Sequence, residues 1–79
     1  MKINLLYFGM IAEALSITNE ELIISRETSI KELKNQLIKK YPVLEKLEYQ
    51  IALNQKITLK ETPINTDCEI ALMPPFAGG

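Results

Sequence analysis

The sequence predicts one α+β domain: a mixed sheet of about five strands packed on one long helix, with a short helix beside it. Three observations lead there. Bulky apolar strand patterns stand near both ends, in "KINLLYF" and "EIALM". One amphipathic segment with a helix-start signature, "SIKELKNQLIKKY", lies between them. Short strand and turn signals fill the rest.

Taken in order, Lys2 to Phe8 forms the first strand. Ile3, Leu5 and Tyr7 share one face at period two, while Leu6 and Phe8 lie on the other. Apolar residues on both faces suit an interior strand, and Gly9 breaks it. "MIAEAL" (Met10 to Leu15) reads as a short helix and "ELIIS" (Glu21 to Ser25) as a second strand. Ser29 and Glu32 then make the S-x-x-E pattern of a capping box, in which each side chain covers a backbone N–H at the helix start. Ile30, Leu33, Leu37, Ile38 and Tyr41 recur at helical spacing as one apolar stripe. Lys31, Lys34, Lys39 and Lys40 make a solvated face, two of them in the last turns where the helix dipole favours cations. Pro42 disfavours helical backbone at Tyr41 and ends the helix.

"VLEKLE" reads as a turn of 3₁₀ or α-helix, "YQIALN" (Tyr49 to Asn54) as a strand, and Asn54-Gln55 as a tight turn. "ITL" (Ile57 to Leu59) is a short strand. Pro63 and "NTD" (Asn65 to Asp67) mark loop and turn. Glu69 to Met73 is the last strand, ended by Pro74, which has no backbone donor. The first and last strands are the most apolar and should be the central pair. A sheet of this kind wrapped around one helix is the β-grasp, or ubiquitin-like, arrangement. The domain is expected over 1–73 and an extended tail over 74–79.

Composition excludes several function classes. The chain has 79 residues, 47% apolar and 24% charged, with a net charge of −1, one cysteine and no histidine. The charge balance argues against a nucleic-acid binder held by phosphate contacts. No apolar run approaches the roughly 20 residues of a membrane span. The opening "MKINLLYFGMIAEAL" mimics a short signal peptide, but Glu13 interrupts it and its first half is needed as a strand. A cytoplasmic protein is expected. Cys68 alone supports no intramolecular disulfide and no cysteine zinc site. It reads as a turn or partly buried residue. Without histidine the chain cannot assemble a Ser-His triad or a Cys-His pair. No resident cofactor or metal is expected.

The chemistry points to the tail, "PPFAGG". Pro74 and Pro75 favour polyproline II, so Pro74 to Gly79 can reach roughly 18 Å at about 3.1 Å per residue. Gly78 and Gly79 lack Cβ atoms and pass where side chains would clash. Gly-Gly alone is also what a frayed end leaves, but "PPFA" is stiff and apolar, and an exposed Phe76 invites association. The α-carboxylate of Gly79 is a poor electrophile until joined to AMP. The acyl adenylate can then accept a thiol, an amine or sulfide. That step needs ATP, magnesium and a catalytic partner.

Over nearly its whole length the chain resembles the small subunits of molybdopterin synthase, the sulfur carriers of molybdenum cofactor biosynthesis. "LLYFGMIAEAL" resembles that family's opening strand and short helix, and "IALNQ" its strand with an Asn-Gln or Asn-Gly turn. "EIALMPPFAGG" resembles its final strand and tail. The resemblance implies a ubiquitin-like fold and a cycle at Gly79. An ATP-using activating enzyme adenylates the terminal carboxyl, and a sulfur donor converts it to a thiocarboxylate. The tail enters the large subunit, and the sulfur attacks a pterin precursor, two transfers building the dithiolene. Gly78 would give slimness, while Pro74, Pro75, Phe76 and Ala77 would align the tail and meet the partners. Two carriers flanking a dimer of large subunits are implied, with catalytic groups on the partner. Asp67 departs from the family pattern by standing where a turn glycine is common. Leu6, Phe8 and Met73 either lie under the short helix or form a partner surface. Three alternatives share the tail. They are a sulfur carrier for another pathway such as thiazole formation, a ubiquitin-like protein modifier, and a binding module with an inert tail. The long connection "GMIAEALSITNE" favours the molybdopterin reading over the thiazole one.

Overall fold

The two most apolar strands, β1 (Lys2–Tyr7) and β7 (Cys68–Met73), lie side by side and parallel, from Ile3↔Cys68 to Tyr7↔Leu72. A computed structural model of the chain describes residues 1–58, 62–64 and 67–75. β2 (Asn19–Ile23) pairs antiparallel with the free edge of β1, and β4 (Gln50–Leu53) antiparallel with the free edge of β7. β5 (Lys56–Ile57) completes a mixed sheet in the order β2-β1-β7-β4-β5. The expected central pair and the β-grasp arrangement are therefore both present. The second strand begins two residues earlier than its sequence suggests, at Asn19, because Leu6 still pairs there.

α2 (Ile30–Lys40) crosses one face of this sheet. Its capping box is complete: Glu32 N–H donates to Ser29 Oγ at 3.1 Å, and Ser29 N–H donates to Glu32 Oε1 at 3.2 Å. Ile30, Leu33 and Leu37 are buried against Ile3, Leu5, Ile70 and Leu72 of the sheet. Ile38 and Tyr41, at the edge of the same stripe, are half-buried. Pro42 does end the helix, and it opens a 3₁₀ helix over Pro42–Lys46 that buries Leu44. α1 (Gly9–Leu15) sends Ile11 and Leu15 into the same core. It therefore does not lie over the opposite face of the sheet.

A second, two-stranded sheet was not expected. β3 (Thr28–Ser29) pairs antiparallel with β6 (Pro63–Ile64), where the sequence suggested loop. Proline fits because the segment is used as an acceptor. Ile30 N–H donates to Thr62 O at 2.9 Å and Glu27 N–H to Ile64 O at 3.1 Å, so no donor is asked of Pro63. Leu59, and Asn65 with Thr66 of the expected turn, lie outside the described residues. Asp67 needs no left-handed backbone. Instead its Oδ1 accepts from Lys2 N–H at 3.0 Å, tying the approach to β7 to the start of β1.

Candidate functional site

β7 ends at Met73, as the missing donor of Pro74 requires. From there the chain is held from both sides. Phe8 N–H, just past β1, donates to Leu72 O at 3.1 Å. Gly9 follows with φ +58°, and a Cβ there would stand 3.0 Å from Pro74 Cγ. Glycine is thus required twice, by backbone conformation and by the closeness of the proline ring. On the other side the Gln50 Nε2 amide donates to Pro75 O. Gln50 is the register partner of Met73, so its side chain reaches two residues beyond the ladder, along the same sheet face.

Among the described residues that face carries no helix. Leu6, Ala71, Ala52 and Ile57 form one row across it, and Met73 with Gln50 the next. The middle of the row is made of small side chains. Ile57 at its rim is 60% exposed, and Phe8, beyond the end of β1, is 46% exposed. Since α1 packs into the core on the other side, the half-buried Leu6 and Met73 and the exposed Phe8 belong to an apolar face next to the root of the tail, with Ala52 and Ala71 buried at its middle.

Of the residues the sequence singled out, Pro74 and Pro75 are brought to this base, both half-buried. Phe76, Ala77, Gly78 and Gly79 lie outside the described residues. Gly9 read as a strand breaker and Gln50 as a strand residue, so their contacts with the tail were missed. The one signal for Gln50 was a long amide at a position alternating with alanine in an otherwise apolar strand.

No titratable side chain takes part in these contacts. Among the described residues no three His, Cys, Asp or Glu come together as metal ligands. Cys68 lies at the opposite end of β7 from Met73, about 17 Å away at 3.4 Å per residue. Burial, then the Asp67 carboxylate, pushes its thiol up from the usual value. A cavity of about 420 Å³ between α2 and β4 is lined by Lys31, Lys34, Ile38, Tyr49 and Ile51 and is also bordered by Gln50 and Ile57. It lies on the helix side of the sheet, and neither proline lines it.

A third cluster centres on Glu20. Tyr7 Oη and Tyr41 Oη each donate to Glu20 Oε2 at 2.7 Å, and Lys40 Nζ donates to Oε1. The two tyrosine rings meet edge to face at 6.3 Å. Burial alone would raise the Glu20 pKa, but the hydrogen bonds from Lys40, Tyr41 and Tyr7 outweigh it and hold the carboxyl below its ordinary value. Burial and the bond to Glu20 push both tyrosines up. The cluster pins the end of α2 to β2 and has no contact with the tail base.

Comparison with known proteins agrees with this geometry. The profile described as "ThiS family" matches residues 5–79. The molybdopterin synthase sulfur carrier subunit of Mycobacterium tuberculosis is 38% identical, covering 100% of this chain and 99% of that one. A solved protein–protein complex of subunits 1 and 2 of the molybdopterin-converting factor from Helicobacter pylori contains a chain 30% identical, with TM-score 0.72 and full coverage of both. A putative molybdopterin converting factor subunit 1 from Pyrococcus furiosus superposes with TM-score 0.88 at 14% identity, covering 96% of this chain and 99% of that one, a likeness of fold alone. Matched from Leu5 through Gly79 by the family profile and end to end by a relative from M. tuberculosis, the chain belongs to the ThiS family.

Proposed function

We propose that this chain is the sulfur carrier subunit of a molybdopterin synthase. What supports it most is the 38% identity, end to end, with a carrier subunit of that name, in a chain whose last strand leads into two prolines and Gly-Gly. The Gly79 carboxylate attacks the α-phosphate of ATP on an activating enzyme, forming the acyl adenylate and releasing pyrophosphate. A sulfur donor then displaces AMP and leaves a thiocarboxylate. In the synthase the thiocarboxylate sulfur attacks a carbon of the pterin precursor and displaces an oxygen leaving group, and hydrolysis of the resulting thioester returns the Gly79 carboxylate and leaves a thiolate on the pterin. Two such transfers supply the two sulfurs of a dithiolene. The carrier is consumed and recharged, while the acid–base groups belong to the large subunit.

The partner is that large subunit, in keeping with the subunit 1–subunit 2 pairing of the H. pylori complex. The face around Leu6, Phe8 and Met73 suits docking, because it presents apolar surface beside the tail root. Two carriers on a dimer of large subunits, in the cytoplasm, complete the reading. Among the described residues no helix is long and apolar enough to cross a membrane.

The test is the intact mass of protein purified without thiols, followed by reconstitution with the large subunit and the pterin precursor. A species heavier by the sulfur–oxygen difference, mapped to Gly79, is expected, together with dithiolene formation. One residue added after Gly79 should abolish transfer and leave the unfolding midpoint unchanged. An extended variant that still transfers at the normal rate would overturn the terminal-carboxylate mechanism. A ladder of isopeptide conjugates in place of dithiolene would overturn the carrier reading in favour of a modifier.

A further inference from the structure

The sheet hands the tail on through contacts that do not belong to β7 itself. Backbone pairing cannot guide the chain past Met73, because neither Pro74 nor Pro75 has a donor. Their carbonyls remain acceptors, and Gln50 supplies a side-chain amide to that of Pro75. Gly9 lets the turn after β1 come up against Pro74. One contact comes from β4 and the other from the residue that opens α1 just past β1, so the chain is met from both sides at its exit.

We propose that Gln50 is a positioning residue for the tail. With Gly9 as the opposing wall, its amide fixes the direction of the chain at Pro75. This rests on the reading of the tail as the sulfur-carrying segment. A polyproline stem transmits direction well, because it is extended and stiff over several residues. A small change of angle at Pro75 therefore becomes a displacement at Gly79, where a misplacement of 1 Å can cost roughly 100-fold in rate. Gln50 shares the face and the row of Met73, so its effect on the transfer step is read with the large subunit saturating, where docking no longer sets the rate.

The test uses Gln50→Thr, which keeps a good strand former but cannot reach Pro75. Gln50→Glu, of the same shape but without a donor, is the second variant should the first prove poorly folded. In the free ¹⁵N-labelled protein the amides of Phe76 to Gly79 should shift in the variant, while those of α2 stay in place. With thiocarboxylated carrier and the large subunit at saturation for each variant, single-turnover sulfur transfer should fall about 10-fold. Unmoved tail amides would overturn the proposal. So would moved amides with a wild-type transfer rate, or a fall wholly accounted for by weaker binding. If the wild-type protein itself transferred no sulfur, the functional reading would fail, and the amide shifts alone would still decide whether Gln50 directs the tail.

Discussion

Gln55 holds a backbone conformation that its side chain disfavours. It follows Asn54 in the turn between β4 and β5, and both have positive φ, 49° and 73°. Asn54 suits its place, since its Oδ1 accepts from Glu69 N–H at 3.0 Å while its own N–H donates to Glu69 O at 2.8 Å. Gln55 has no such compensation among the described residues, and a left-handed residue with a Cβ costs about 1–2 kcal/mol. Gln55→Gly is expected to stabilise the fold by about 0.5–1 kcal/mol, less than the full relief because glycine loses more entropy on folding. The urea midpoint measures it. This turn was legible because Asn-x is a local signal. Gly9 was legible as a break but not as a contact, since its neighbour Pro74 is far away in sequence. Glu20 gave no signal at all, because its three partners come from β1, the last turn of α2 and the residue after it.

At the scale of elements, α2 was the most readable, since its cap, stripe and stop are all local. Ser29→Ala should cost about 1 kcal/mol by uncovering the Glu32 N–H. The expected sign is a lower urea midpoint with an unchanged denaturant slope. β6 was the least readable, because its pairing depends on acceptors in a segment whose proline argues against a strand. The joint between α2 and β2 carries a pH dependence. The Glu20 carboxyl titrates lower in the folded chain than its ordinary value of 4.5. Its contribution is therefore complete above that value and is lost as the pH falls through the lower, folded pKa. Wild type should lose stability more steeply than Glu20→Gln between pH 5 and pH 3, read as urea midpoints across that range. Lys40, Tyr41 and Tyr7 hold the carboxyl down in that order, although the half-exposed ammonium of Lys40 is partly screened by water.

For the molecule as a whole, the fold class and the central strand pair were legible because apolar strands near the two ends leave few ways to bury both. The proposed place of the functional site rests on composition, on prolines, phenylalanine and glycines in one short run, of which Pro74 and Pro75 are among the described residues. Its support was not legible, since Gly9 and Gln50 meet the tail base only through tertiary structure. The β1–β7 pairing joins residues sixty-five positions apart, as Ile3 and Cys68 show. Such a contact closes a long loop and comes at the end of a slow search. A full-length chain that has not folded therefore has Gly-Gly but lacks the contacts that hold Pro74 and Pro75 beyond the end of β7. On the proposed carrier reading, an activating enzyme that reads the base of the tail as well as its tip would charge folded molecules and pass over unfolded ones, so that folding would act as a checkpoint on sulfur loading. Hydrogen exchange gives this a measure. The amides of Leu5 and Ile70 should exchange through global unfolding alone, with a free energy equal to that from urea titration.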